Sequence, residues 1–418
     1  MKYPDDFINK IICGDCLEIM KYIPDNSIDT IITDPPYGLA FMGKEWDSFG
    51  TDLKKYQEWT RRWAVEALRV AKPGATLLCF GGTRTWHRLA CGLEDAGWVI
   101  KDTIMWITAQ GFPKSLNIAK SLQKKGEVQE AKQWEGYGTA LKPAFEPIIF
   151  AVKSPEGSYS DNTLKWKVAG LNIDGGRIRT NDIFFRKPTS CKENKIRKTN
   201  FNVSKLIGSV TDDWKKGRFP ANVILECTCD EIIEKGKIGK NIPRNNEPSK
   251  ADSKIYGFAK YKNMHKSGAH YQDQIFVHTN PECPCYQLDR QQKNASRFFY
   301  CVKASRNERD MGLENLPDKI GGGMKGTEDQ TLLTGSGNIR NNKMKNNHPT
   351  VKPLKLMEYL CLLTKTPYGG IVLDPFIGSG TTAIAAKNVG RDYIGIELVS
   401  EYVEIARERI KGAMPLFS

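Results

Sequence analysis

A chain of 418 residues with 40% hydrophobic and 26% charged residues has material for one large domain with insertions, or for two or three smaller ones. No apolar run approaches about 18 residues, which excludes a membrane-spanning helix, and the opening MKYPDDFINK lacks the apolar stretch of a signal peptide, so a cytoplasmic protein is expected. The net charge of +14 points to a polyanionic partner, and eleven cysteines in a cytosolic chain read as free thiols or metal ligands rather than disulfides.

In chain order, residues 11–16 (IICGDC) read as a short strand ending in Gly-Asp, followed by a helix over 17–23 that closes at Pro24-Asp25-Asn26-Ser27. Residues 28–33 (IDTIIT) form a buried strand, stopped by Asp34-Pro35-Pro36-Tyr37, because neither proline can donate to a ladder. Residues 38–50 are a Gly- and aromatic-rich loop that could lie over a substrate. A helix over 53–71 carries Tyr56, Trp59, Trp63, Ala67 and Leu68 at helical spacing, read as core. A Lys72-Pro73-Gly74 turn leads to a strand over 75–80, then a helix near 86–96 and a strand around 98–107. Residues 110–132 are mixed loop and helix, and 146–153 (EPIIFAVK) another strand. Strand–helix alternation with short turns predicts a doubly wound α/β sheet.

Beyond Ser154 the periodicity breaks, and residues 154–296 read as an inserted region rich in loops. Residues 161–290 hold 24 Lys and Arg against 15 Asp and Glu, interleaved with Trp166, Phe184, Phe185, Trp214, Phe219 and Tyr256. That mixture suits phosphate contact and base stacking; a solvated, loop-rich insertion has the same composition. A strand over 297–303 rejoins the sheet, 321–347 is a Gly-, Asn- and Lys-rich loop expected to be mobile, and a helix covers 353–364.

The last stretch, 371–382 (IVLDPFIGSGTT), is a strand, a glycine loop and the start of an Ala-rich helix. Its glycines let backbone N–H groups approach a ligand at the helix N-terminus. No Gly-Lys-Ser/Thr follows, and the third glycine of a dinucleotide fingerprint is missing. Glu397, about 20 residues on at the end of the next strand, is placed to hold ribose hydroxyls. The ligand therefore reads as a nucleoside-bearing cofactor without phosphates. At the other site, Asp34 and the Pro35 carbonyl could accept hydrogen bonds from an exocyclic amino group of a base, freeing its lone pair. Tyr37 could stack on the face of that base.

With DPPY at 34–37, DPFIGSGTT at 374–382 and HPTVKP at 348–353, the chain resembles the amino-methylating DNA methyltransferases, which modify adenine N6 or cytosine N4. The order of motifs, catalytic first and cofactor loop last, is similar to the β-type arrangement of that family. The resemblance implies an S-adenosylmethionine-dependent methyltransferase fold in three parts. Residues 1–153 would form the catalytic half, 154–296 the target-recognition region, and 297–418 the cofactor-binding half. It implies a catalytic turn of Asp34, Pro35, Pro36 and Tyr37. Asp374, Pro375, Phe376, Gly378, Gly380 and Thr381 would line the methionine portion of S-adenosylmethionine, and Glu397 would hold its ribose. Asp15 and Cys16 would meet the adenine, while His348, Pro349 and Lys352 would close the pocket. The reaction would be direct transfer to a flipped base, with adenine N6 favoured by Asp at the first motif position and cytosine N4 as the alternative. RNA or protein-glutamine methylation, and a DNA-binding protein on an inactive scaffold, are the remaining readings. DNA is the implied partner, and the resemblance admits a homodimer and a cognate restriction endonuclease acting on the same site.

Two pairs of cysteines, Cys227/Cys229 and Cys283/Cys285, lie in the inserted region with His278 nearby. Four thiolates could hold a structural Zn2+ and stiffen a region short of core, although Cys-x-Cys is tighter than the usual spacing. The alternative is reduced, partly buried thiols.

Overall fold

The computed structural model describes residues 1–39, 47–50, 52–108, 115–178, 218–227, 229, 232–235, 275–281, 283–291, 295–303, 308–317, 319–320 and 343–413. Most of the loop expected over 321–347, the middle of the loop at 38–50, and Phe184, Phe185, Trp214 and Tyr256 lie outside these residues.

The first part of the chain forms β1 (Lys10–Cys13), α1 (Cys16–Met20), β2 (Ile28–Thr33), α2 (Leu53–Val70), β3 (Ala71–Phe80), α3 (Trp86–Asp95) and β4 (Val99–Ile107). Then come α4 (Ile118–Lys124), α5 (Val128–Gln133), β5 (Phe145–Val152) and α6 (Tyr159–Trp166). The middle contributes β6 (Val223–Cys227), β7 (Ile232–Lys235), β8 (Ile275–His278), α7 (Pro284–Gln291) and β9 (Tyr300–Lys303). After β10 (Lys319–Ile320) and β11 (Lys343–Met344), the chain ends in α8 (Leu354–Leu363), β12 (Ile371–Asp374), α9 (Thr381–Asn388), β13 (Asp392–Glu397) and α10 (Ser400–Gly412).

Nine strands make one sheet in the order β1-β13-β12-β2-β3-β5-β4-β6-β9. All neighbours are parallel except β5, which runs antiparallel to both β3 and β4. Successive residues of the central strands alternate between two cores, as pleating requires. Ile32, Leu78, Ile148 and Val372 pack with α8, α9 and α10, whereas Ile31, Leu77, Ile149 and Leu373 pack with α1, α2 and α3. The sheet is thus covered on both faces, which explains the continuous apolar runs of its strands. Helix α2 starts where Asp52 accepts a bond from the Lys54 N–H at 2.9 Å, and it buries Tyr56, Trp63, Ala67 and Val70 along one stripe.

The turn expected at Lys72-Pro73-Gly74 is a break inside β3. Ala71 pairs with Ile28, and regular pairing resumes at Thr76 with Thr30, the intervening residues forming an irregularity around Gly74 at φ +78°.

Two elements beyond residue 154 join the main sheet or pack on it. Helix α6 is fastened to the sheet through the buried Asn162, whose amide donates to the carbonyls of Pro73 and Val168. Strand β6 is a full member of the main sheet, pairing Met105–Ile107 of β4 on one side and β9 on the other. An alternating pattern was absent because a strand flanked by parallel neighbours is buried on both faces. Strand β9 is shorter than the segment expected over 297–303, since Ala295–Phe298 form a single helical turn.

Candidate active site

Strands β2 and β12 lie side by side and parallel, so the Asp34 turn and the Asp374 loop leave the same edge of the sheet. The two are joined directly. The Thr33 hydroxyl donates to Asp374 Oδ1 at 2.7 Å, and both residues are buried.

The turn is held from outside itself. The Tyr56 hydroxyl of α2 donates to the Pro36 carbonyl at 2.9 Å, and the Thr85 hydroxyl donates to the Tyr37 carbonyl at 2.6 Å. The Pro35 carbonyl has no hydrogen-bond donor among the described residues. Beyond Tyr37 the chain is pinned by the buried Asp47, which accepts from the N–H groups of Gly38 and Leu39 at 2.7 and 3.2 Å.

Asp34 sits in a compact charged network. Its Oδ2 meets Lys352 Nζ at 2.6 Å and its Oδ1 lies 2.8 Å from the Tyr37 hydroxyl. That hydroxyl is also 2.9 Å from Glu146 Oε2, and Lys352 reaches Glu146 at 3.4 Å. The side chains of Lys352 and Asp34 are only 8% and 16% exposed, so the pair is largely withdrawn from water. One phenolic proton cannot serve two carboxylates at once, so the Lys352 ammonium supplies the remaining donors. Burial raises the Asp34 pKa, opposed by the Lys352 charge. Burial also works against the Lys352 charge, but Asp34 and Glu146 outweigh it and the Lys352 pKa is raised. Burial, reinforced by the same two carboxylates, pushes the Tyr37 phenol well above its ordinary value.

Lys352, grouped with the cofactor residues from its motif, is a partner of Asp34. Tyr37, expected to stack on a base, is half-buried; a Cβ on Gly82 would lie 3.1 Å from its ring, and its hydroxyl is engaged. Glu146 was missed because its role depends on direction. Only an antiparallel β5 brings the start of EPIIF to the edge where the parallel strands end.

On the cofactor side, Asp374 accepts from Thr33, from the Thr382 hydroxyl at 2.6 Å and from the Phe376 N–H at 3.1 Å. Burial pushes its carboxyl up to about 7. Phe376 packs against Trp59 and Trp63 of α2, with ring centroids 5.5 and 5.4 Å away. Pro375 is buried. Glu397 accepts from the Gly378 N–H at 2.9 Å and from the Val399 N–H at 2.8 Å, one bond to each oxygen, which leaves lone pairs for a ligand. His348 packs on the glycine loop, where a Cβ on Gly378 would fall 2.7 Å from its Nε2, and Pro349 follows it, partly exposed. Gly380 has φ +85°, and a Cβ there would press on Ala406 of α10 at 2.9 Å. The Thr381 hydroxyl is buried and lies 3.0 Å from Arg409 Nη1, which also reaches the Ser379 carbonyl at 2.6 Å. Arg409, fully buried, therefore braces the loop from beneath.

Asp15 and Cys16 stand at the end of β1, beside the end of β13, where Gly14 N–H donates to the Glu397 carbonyl at 2.9 Å. Asp15 caps α1 by accepting from the Leu17 N–H at 2.7 Å, and burial pushes the Cys16 thiol up to about 12. Asp15, Asp34, Asp374 and Glu397 thus gather at the ends of β1, β2, β12 and β13. Asp15 and Glu397 flank a glycine loop that holds no lysine, while Asp34 is already paired with Lys352, and this suits a cationic nucleoside and opposes a phosphate.

The paired cysteines come together away from this site. Cys227, Cys229 and Cys283 form a buried group with His278, and Cys285, expected as the fourth member, borders it through side-chain hydrogen bonds with Cys227 and Cys283, its thiol 4.0 Å from the Glu226 carbonyl.

A family model described as DNA methylase (N6_N4_Mtase) matches residues 28–408. The type II methyltransferase M.HindIII of Haemophilus influenzae is 26% identical over 201 residues, covering 40% of this chain and 65% of that protein, just under two thirds of its length. The type II methyltransferase M.HinfI, also of Haemophilus influenzae, is 21% identical over 425 residues, covering 98% of this chain and 70% of that protein. Among solved structures, TTHA0409 of Thermus thermophilus, complexed with S-adenosyl-L-methionine, is similar with a TM-score of 0.41 and 15% identity, covering 98% of this chain and 96% of that one. The matched span runs from β2 into α10 and takes in both the Asp34 turn and the Asp374 loop, so the chain belongs to the N6/N4 amino-methylating DNA methylase family.

Proposed function

We propose that this protein is a site-specific DNA methyltransferase that places a methyl group from S-adenosylmethionine on the N6 amino group of adenine. The observation that carries the reading is the Thr33–Asp374 hydrogen bond at 2.7 Å, which sets an amino-polarising turn and a nucleoside loop on adjacent strand ends. S-Adenosylmethionine, when bound, supplies an electrophilic methyl on a sulfonium. Glu397 would hold its ribose, with Asp15 and Cys16 beside the adenine and the 374–380 loop along the methionine.

For the base, Asp34 and the Pro35 carbonyl accept the two N–H bonds of the amino group, drawing its nitrogen towards tetrahedral geometry and exposing the lone pair. Asp34 then takes the proton released as the new N–C bond forms. Lys352 keeps Asp34 ionised between turnovers and must give up part of its contact when an amino group arrives. Tyr37 and Glu146 orient the carboxylate. No protein nucleophile is required.

Adenine is preferred over cytosine because Asp, rather than Ser, opens the turn. Pairing with a restriction endonuclease of the same site is part of the same reading. The test is nucleoside mass spectrometry of unmodified DNA treated with the protein and S-adenosylmethionine. N6-methyladenine is expected. N4-methylcytosine would overturn the choice of base and keep the site. Asp34→Ala should lower transfer by roughly 10²–10³-fold while cofactor affinity, measured by calorimetry, is retained.

A further inference from the structure

The geometry points to a structural zinc ion held by Cys227, Cys229, Cys283 and His278. Their ligand atoms all lie within 4.8 Å of one another, and all four residues are buried. Tetrahedral zinc with Zn–S near 2.3 Å and Zn–N near 2.0 Å sets sulfur–sulfur edges of about 3.8 Å and sulfur–nitrogen edges of about 3.5 Å. Here His278 Nδ1 is 3.3 Å from Cys227 Sγ and 3.7 Å from Cys229 Sγ. The two distances bracket the tetrahedral edge.

The surroundings fit a metal better than bare thiols. The backbone N–H of Asn280 points at Cys229 Sγ at 3.4 Å, a donor that a thiolate uses well and a thiol poorly. The local core consists of Leu225 and the four cysteine side chains, with a few half-buried neighbours, so sulfur replaces most of the carbon expected in a packed centre. Three soft thiolates and an imidazole with no open position select zinc and describe a structural rather than catalytic site. Binding releases three thiol protons to solvent and leaves a neutral imidazole, so the occupied site carries a net charge of −1.

Its place in the fold gives the ion a task. Cys227 ends β6, His278 ends the β8 strand of the β7–β8 antiparallel pair, and Cys283 precedes α7. One ion therefore ties this pair and α7 to the main sheet. Cys285, on the first turn of α7, borders the group through side-chain hydrogen bonds with Cys227 and Cys283 and lies 4.0 Å from the Glu226 carbonyl, so it supports the ligands without completing the set.

The experiment is metal analysis of the full chain purified under reducing conditions without chelator. About one zinc per chain is expected in the native protein and in Cys285→Ser, with most of it lost in His278→Ala and Cys227→Ser. Cobalt substitution of the native chain should give the intense visible bands and sulfur charge-transfer absorption of a tetrahedral thiolate site, which keeps the proposal testable if the variants misfold. Retention of zinc in His278→Ala with loss in Cys285→Ser would overturn the ligand set. Metal-free native protein, with Cys227, Cys229 and Cys283 alkylated as fast as the exposed Cys13, would overturn the site.

Discussion

Asp34 is asked to remain a carboxylate in a place that disfavours one. Its side chain is largely withdrawn from water, burial raises its pKa, and the Lys352 ammonium at 2.6 Å is the principal opposing influence. Removing that charge in Lys352→Met should move the acidic limb of the kcat/KM profile to higher pH, because the acceptor must be ionised and its pKa rises further. An unmoved limb would separate Lys352 from the chemistry. Asp374 gives a second pH signature. Its carboxyl is raised from 3.8 to about 7, so the folded state binds its proton more tightly than the unfolded chain does. Stability from this group is complete below the unfolded value and declines as pH rises from about 4 to about 7. Wild type should therefore lose stability relative to Asp374→Asn across that window in denaturant titrations, and the difference should level off above it. At this scale the sequence was legible where a residue's neighbours lie in its own motif, as with the glycine loop, whose Gly378 N–H donates to Glu397. It was opaque where partners are remote. Lys352 lies 318 positions from Asp34, and no local pattern announces that Glu146 and Arg409 face inward.

The glycine loop is the element where backbone form matters most. Gly378 is at φ +53° with the His348 ring in the place of a side chain. Gly378→Ala should cost about 1–2 kcal/mol from the left-handed backbone alone, read as a lower melting temperature, and should weaken S-adenosylmethionine binding because the loop must shift away from His348. Normal affinity at full stability would show that the loop tolerates a Cβ. Most strands and helices of the two halves were readable from apolar periodicity, within a residue or two at most boundaries, but α6 and α10 were not predicted. Strand β6 was not, since five residues buried on both faces among basic loops offer no alternation to detect. Nor was the direction of β5, which is set by its neighbours and not by its own composition.

The whole molecule is a sheet with its chemistry near one end and its sulfur cluster near the other, beside β6. Of the net charge of +14, +9 falls over residues 161–290, the stretch that also carries the cysteine cluster. Replacing Lys192, Lys195, Arg197 and Lys198 by Gln should weaken DNA binding uniformly across sequences and flatten the dependence of log K on log salt by about 0.9 for each phosphate no longer neutralised. An unchanged slope would place the phosphate-binding side chains elsewhere. Cofactor affinity should not move, because none of these residues belongs to the Asp374 loop.

Strand β13, residues 392–397, lies between β1 and β12, so the sheet neighbour of the first strand is made almost four hundred positions later. On the ribosome, β1 and β2 emerge early and wait with exposed, hydrogen-bonding edges until β12 and β13 arrive. Such long-range closure folds slowly and leaves a period in which the nascent chain is open to misassociation. The same ordering has a protective side. A polypeptide cut short before residue 371 carries the Asp34 turn without the loop that Thr33 anchors, so under the proposed function a truncated product neither binds the methyl donor nor marks DNA.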